Sequence, residues 1–232
     1  MKTCIYKYLE QLWDSFYYKI NIKIMSARRG TFVCIEGIDH SGKTTQCERL
    51  AKTLRTQGVQ CVVMRFPNRA THTGRLIDTY LSEQTNMDDH AIHLLYSANR
   101  WECRAELERL LSSGTTVIAD RYTFSGVAYT TAKGIDADWC MAPEVGLIAP
   151  DIFIYLRLDA ETALERGAAK PRERYETKPF LRRVADAYDN ICVTASDDTW
   201  CVVDASQSLE DVEAAVLRAA LVAISENDVI VT

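Results

Sequence analysis

From Thr31 onward the chain alternates short runs that are apolar throughout with longer stretches whose apolar residues recur every three or four positions. The first kind reads as strands covered on both faces, the second as helices with one buried stripe. Phe32 to Glu36 (FVCIE) is the first such strand. Thr44 to Leu54 follows, with Cys47, Leu50, Ala51 and Leu54 at helical spacing, and Gly58 breaks it. Val59 to Met64 (VQCVVM) is a second strand, and Leu76, Ile77, Tyr80 and Leu81 mark a short helix. Asp88 or Asp89 is placed to cap a long helix running to about Ser112, with Gly114 as its stop. Thr115 to Ala119 is the third strand, roughly Phe124 to Lys133 a helix, Asp151 to Leu158 the fourth strand and Thr199 to Val203 the fifth. Ser208, three before Asp211, opens the last helix with a capping box. Apolar strands separated by helices run parallel through right-handed crossovers. The pattern therefore predicts one three-layer α/β domain with about five parallel strands flanked by helices.

The 232 residues fit one domain with at most an appendage. The net charge of −5 argues against a basic nucleic-acid footprint, so no nucleic-acid partner is expected. No run of 18 apolar residues occurs, so no integral membrane association is expected. The eight cysteines include no CxxC pair and several lie in apolar runs, which predicts reduced core thiols rather than a disulfide frame or zinc site. His90 and His93 are three apart with no third ligand nearby, and are expected on a helix surface.

Residues 1–24 stand apart. They hold six aromatics, four Lys and two acids, and match neither a secretory signal nor a transit peptide. Ile5, Leu9, Leu12, Trp13, Phe16 and Ile20 fall on one helical stripe. The segment is either an amphipathic anchor or partner helix, or a dispensable extension ahead of a working start at Met25; residues 25–232 form the domain. With no strong targeting signal the cytoplasm is the expected compartment, the nucleus or an organelle being the alternatives.

The strongest chemical signal is Gly37-Ile38-Asp39-His40-Ser41-Gly42-Lys43-Thr44, followed by Thr45, between a strand and a helix. Glycines there let backbone N–H groups curl around an anion, and the helix N-terminus adds partial positive charge. Lys43 can reach the β- and γ-phosphates and the Thr44 hydroxyl can hold Mg²⁺. Asp120-Arg121-Tyr122 follows the third strand, with Phe124, Ser125 and Gly126 after it. In an open parallel sheet that is the rim where ligands bind. Asp120 can act on Mg²⁺ and Arg121 can bridge phosphates. Arg65 to Arg69 lies on the same rim. Tyr96 and Arg100, four apart on one helix, can stack a base and bond its edge, although ordinary helix packing explains that spacing equally. Arg166 to Glu176 (RGAAKPRERYE), with four cations, two acids and a Pro, reads as a solvated loop or as a lid over phosphates.

The segments GIDHSGKTTQ, RFPNRATHTG, HLLYSANRWE, DRYTFSGVAY, DWCMAPEVGL and RERYE together resemble the thymidylate kinases of the eukaryotic and poxviral kind, from about Arg28 to the last helix. The resemblance implies the P-loop nucleoside-monophosphate-kinase fold with a short lid at about 166–177. It implies transfer of the ATP γ-phosphate to dTMP with Mg²⁺, and a homodimer. It implies that Tyr96 stacks the base, Arg100 meets its edge, Phe66 packs beside it and Arg69 holds the dTMP phosphate. It further implies that Asp39 contacts the sugar hydroxyl, that Tyr129 excludes ribose, that Ser125, Gly126 and Tyr175 line the acceptor site, and that Arg166 packs over adenine. One departure stands out: His40 occupies the place where that family carries Arg or Lys. Lys170, Arg172 and Arg174 could then supply the missing cation from the lid, with Arg174 first, or His40 could supply it when protonated. A kinase of broader acceptor range, and a nucleotide-binding regulator without catalysis, are the competing readings.

Overall fold

The computed structural model describes residues 29–168, 173–194 and 199–229. Five strands form one parallel sheet: β1 (Phe32–Glu36), β2 (Cys61–Arg65), β3 (Thr116–Asp120), β4 (Ile152–Arg157) and β5 (Trp200–Asp204), in the spatial order β2-β3-β1-β4-β5. The apolar runs forecast each strand to within two residues at either end. β1 and β3 are buried at every position, as central strands covered on both faces must be.

The helices are α1 (Lys43–Thr56), α2 (His72–Leu81), α3 (Asp89–Glu102), α4 (Arg104–Ser112), α5 (Thr123–Thr131), α6 (Ala137–Met141), α7 (Ala160–Gly167), α8 (Lys178–Thr194) and α9 (Leu209–Val229), with a 3₁₀ turn at Ala142–Glu144. The chain moves one way across the sheet from β1 to β2 and the other way afterwards. Right-handed crossovers then put α1 on the opposite face from the later connecting helices. α9 returns to pack beside α1, while α5 and α8 pack together. Ser208 caps α9 as its sequence forecast: Ser208 Oγ donates to Asp211 Oδ2 at 2.6 Å and accepts from Asp211 N at 3.2 Å.

The long helix expected from Asp88 to Ser112 is two helices. Asp88 does cap α3, its carboxylate accepting from His90 N at 2.8 Å. At Cys103, however, the backbone N–H bonds back to the Arg100 carbonyl, three residues away rather than four, and α4 restarts from there. A periodicity count does not register a single slipped hydrogen bond, because the apolar stripe continues through Leu107 and Leu111. Helices α6 and α7 also went unforecast; both are short, and each begins at an Asp whose side chain accepts from the third residue after it.

His93 is not a surface residue. It is fully buried, with Nδ1 2.8 Å from Thr130 Oγ1 and Nε2 2.9 Å from the Cys140 carbonyl. His90 remains exposed. Burial, outweighing the Cys140 carbonyl bond, pushes the His93 imidazole below its ordinary value of 6.5. The unfolded chain therefore takes up a proton near pH 6.5 that the folded chain refuses. Stability attached to this group is complete above that pH and is lost as the pH falls below it. Denaturant melts at about pH 7.5 and 5.5 should show an acid-side loss that shrinks in His93→Gln; an undiminished loss in that variant would remove His93 as its source.

Of the seven cysteines among the described residues, all are free; Cys34, Cys47, Cys61, Cys103 and Cys140 are buried and Cys192 and Cys201 half-buried. Among the described residues no cluster of three His, Cys, Asp or Glu could hold a metal, and no helix is long and apolar enough to cross a membrane. The segment 1–24, with its apolar stripe, lies outside the described residues.

Candidate functional site

The register of the sheet decides which side chains meet. Ile35 of β1 and Arg65 of β2 both pair with Asp120 of β3, so three strands end on one rim with the loops that follow them side by side. In a sheet of this order the strand succession reverses between β3, β1 and β4, and the crevice opens there.

The loop after β1 turns through positive φ at Gly37 (145°), His40 (61°) and Gly42 (96°) before α1 begins. Gly42 is the helix N-cap with no side-chain cap, and the first-turn N–H groups of Lys43, Thr44 and Thr45 have no intrahelical carbonyl to meet. That end of α1 is an anion seat. Lys43 folds back inside the loop: Nζ donates to the Ile38 carbonyl at 2.6 Å and lies 3.4 Å from Ser41 Oγ, with the residue 5% exposed. Burial, reinforced by the Arg121 charge, pushes its ammonium down to about 8. A phosphate in the loop would add to the counter-charge of Asp39, Asp120 and Glu36, which burial and Arg121 outweigh. Thr44 Oγ1 donates to Asp120 Oδ2 at 2.6 Å, and Arg65 Nε reaches the same oxygen at 3.1 Å.

Arg121 holds the opposite wall. Its φ of 71° is left-handed, a conformation a residue with a side chain keeps only when its surroundings impose it. Glu36 does so. This fully buried carboxylate at the end of β1 accepts from Tyr122 N at 2.9 Å, Ser125 N at 3.2 Å, Ser125 Oγ at 2.6 Å and Tyr188 Oη at 2.8 Å. Arg121 is thereby turned back over the loop. Its Nη1 donates to the Gly37 carbonyl at 2.9 Å and to Ser125 Oγ at 3.1 Å, and its Nη2 pairs with Asp39 Oδ1. Tyr129 Oη donates to the other Asp39 oxygen at 2.9 Å. Burial alone would raise the Asp39 carboxyl, but Arg121, Lys43 and the Tyr129 hydroxyl outweigh it and hold it below the usual carboxylate range. Asp39, Lys43, Arg121, Ser125 and Tyr129, singled out separately along the sequence, thus form one network.

The acceptor side lies across α2, α3 and α5. Phe66 is buried edge-on against Tyr122, with ring centroids 5.2 Å apart. Tyr96 is half-buried beside Ile77, Tyr80 and Tyr175, and burial followed by the Asp39 charge pushes its phenol up. Arg100 is buried: Nε and Nη2 donate to the two oxygens of Glu144 at 2.7 and 2.5 Å. A β-carbon on Gly126 would stand 2.7 Å from that Nη2, so only Gly lets α5 approach so closely. Tyr175 is stacked on Phe180 at 5.1 Å, its hydroxyl bonded to Tyr80 Oη at 3.1 Å and to Lys133 Nζ at 2.8 Å. Arg69 is half-exposed between Asp78 (2.6 Å) and Glu173 (2.7 Å). On the donor side Arg166 Nη2 donates to the Ala205 carbonyl at 3.0 Å.

Arg174 is not where a catalytic lid arginine is expected. Its Nε donates to the Tyr80 carbonyl at 2.8 Å and its Nη2 to the Thr85 carbonyl at 2.7 Å, with its guanidinium 4.1 Å above the Tyr80 ring. The Tyr80 carbonyl near the C-terminal end of α2, the Thr85 carbonyl in the turn beyond it and the face of Tyr80 together bind the planar cation on that side of the molecule. Lys170 and Arg172 lie outside the described residues. His40 faces out of the loop, with Nε2 3.0 Å from Glu176 Oε1. Sequence reading missed Glu36, Glu144 and Tyr188. The one available sign for Glu36 was an acid closing an otherwise apolar strand directly before a glycine.

Residues 35–216 match the family model described as Thymidylate kinase. The chain is 46% identical over 198 residues to the thymidylate kinase of Arabidopsis thaliana, spanning 85% of this chain and 73% of that protein. Against the thymidylate kinase of Homo sapiens it is 42% identical over 189 residues, spanning 81% and 88%. Among solved structures it is similar to the thymidylate kinase of Candida albicans, for which broad substrate specificity is described, at a TM-score of 0.77 and 33% identity over 87% of this chain and 95% of that one.

Proposed function

As a member of the thymidylate kinase family the chain transfers the γ-phosphate of ATP to dTMP, giving dTDP and ADP, and we propose that it does so with the network around Asp39 and Arg121 as its reacting centre. The observation that carries this assignment is the junction of Arg121 with both the phosphate loop, through the Gly37 carbonyl and Asp39, and the acceptor wall, through Ser125. Phosphoryl transfer passes through a loose in-line transition state with charge spread over the equatorial oxygens, so the protein's task is positioning and charge cancellation. Lys43 and the N-terminus of α1 hold the donor phosphates. Arg121 spans donor and acceptor phosphates. Asp39, fixed by Arg121 and Tyr129, accepts from a sugar hydroxyl and orients the acceptor. Arg69 turns from its two carboxylates to the dTMP phosphate; Tyr96 and Phe66 flank the base and Arg100 bonds its edge. Tyr129 closes the space beside the sugar, Gly126 and Tyr175 complete the acceptor wall, and Arg166 lies under the adenine.

The oxygen donors Thr44 and Asp120, 2.6 Å apart at the loop, suit a hard cation and would hold Mg²⁺. Bound there, Mg²⁺ neutralises charge on the polyphosphate. A homodimer is part of the proposal, supported by the exposed Leu94 and Trp101 on α3 and Leu76 on α2.

The direct test is ADP release with ATP and a panel of acceptors. A marked preference for dTMP over dUMP, dCMP and dGMP is the expected result; equal rates across the panel would replace the assignment with a broad-range kinase. Residues 1–24 precede the first strand and the matched region, and support the reading of a dispensable extension. A protein begun at Met25 should fold and phosphorylate dTMP within about threefold of the full chain. Insolubility or inactivity of that protein would favour a packed or anchoring helix.

A further inference from the structure

The imidazole of His40 joins three parts of the chain that are distant in sequence. His40 sits in the phosphate loop with φ of 61°. Residues bearing a β-carbon are strained in that region and stay there only where neighbours hold them. Two neighbours do. The ring lies over Gly167, the last residue of α7, where a β-carbon would stand 2.4 Å from both Cδ2 and Nε2. Nε2 also lies 3.0 Å from Glu176 Oε1, the two side chains being 10% and 9% exposed. This is a close polar approach rather than an aligned hydrogen bond, for Nε2 has no aligned partner. Glu176 is itself fixed. Its N–H donates to the Glu173 carbonyl at 3.1 Å, and Arg174 and Tyr175 before it are fastened to α2 through Leu81 and Tyr80.

We propose that Glu176 is a positioning residue for phosphoryl transfer, acting through His40, with Gly167 leaving the space that the imidazole occupies. The inference rests on the kinase reading above. Successive loop N–H groups form an anion cradle only while the backbone keeps its left-handed turn. Relaxing His40 would swing that cradle away from the transferring phosphoryl. Lys43 and the α1 N-terminus belong to the helix that follows the loop and would continue to hold the donor. Loss of the contact should therefore appear in kcat and hardly in either KM.

The test is steady-state kinetics and melting temperature for Glu176→Ala and Gly167→Ala, each in the native and the His40→Ala backgrounds. Each variant should lower kcat by about tenfold, with both KM values within about threefold, as expected of a misplaced rather than a missing group. Gly167→Ala sets its β-carbon against the His40 ring, so the imidazole must leave its seat, and the melting temperature of the same substitution in the His40→Ala background separates that clash from a general loss of fold. It therefore tests the seat even if Glu176→Ala folds poorly. In the His40→Ala background both substitutions should become silent. Full, additive losses there, raised KM with kcat intact, or native kinetics throughout would each overturn the proposal. A native protein that releases no ADP with dTMP would instead defeat the kinase reading, so the two failures are told apart.

Discussion

Lys43→Met should lower kcat by about 10³-fold or more while leaving the fold at least as stable as the native one, the size being that of a cation which stabilises the transferring phosphoryl. Nζ is trapped under the arch of the loop by the Ile38 carbonyl and Ser41, so no other ammonium or guanidinium among the described residues occupies that spot. Arg121 reaches the loop only from the acceptor side, and Arg174 is fastened to α2. Neither can substitute. The stability half follows from burial. An ammonium 5% exposed has lost most of its hydration, its hydrogen-bond partners are a neutral carbonyl and a hydroxyl, and burial with the Arg121 charge outweighs the attraction of Asp39, Asp120 and Glu36. Met fills the same volume without a charge. Rates with dTMP and ATP, beside a thermal melt of the nucleotide-free protein, check both halves. Activity within tenfold of native would mean that the loop cradles phosphate by backbone alone. A collapse of the melt would mean that the lysine is a structural tie.

How much of this was legible in the sequence follows from what each feature depends on. β1 and β3 announce themselves because central parallel strands are covered on both faces and so carry near-continuous apolar runs, FVCI and VIA. The phosphate loop does so because the turn, the cation and the helix start are contiguous. Arg100 and Glu144 could not be paired from sequence: 44 positions separate them, and their bond depends on how the 3₁₀ turn after α6 packs against α3. Arg174 was misplaced for a related reason. Its resemblance to a lid arginine concerns residue type, whereas its direction is set by the end of α2 and the Tyr80 ring, which the local sequence does not contain. His93 was assigned to a surface because helical spacing gives relative faces but not which of them α5 and α6 cover. Glu36 is the deepest omission. An acid at the end of an apolar strand resembles a strand terminus, and only the fold shows the donors of Tyr122, Ser125 and Tyr188 converging on it to hold Arg121 in its left-handed turn.

The Arg100–Glu144 pair separates holding the fold from reading the base. Arg100→Ala alone should destabilise the protein by about 3–5 kcal/mol, because it leaves the Glu144 carboxylate, 1% exposed, without its partner. That loss would confound any kinetic reading of the variant. Replacing both members by apolar residues of similar volume, Arg100→Met with Glu144→Leu, should restore most of the stability, since exchanging a buried ion pair for packed side chains is often neutral. Base reading should not return. Glu144 occupies Nε and Nη2, which leaves Nη1 for an acceptor on the base edge, and a charged hydrogen bond of this kind contributes about 1.5–3 kcal/mol. The stable double variant should then lose about 10- to 150-fold in kcat/KM for dTMP and most of its preference over dCMP, with the ATP KM unchanged. Melting curves establish the first half and an acceptor panel the second. A double variant that is stable and still prefers dTMP as strongly as the native enzyme would reduce Arg100 to a strut between α3 and the 3₁₀ turn, and would leave base recognition to Tyr96 and Phe66.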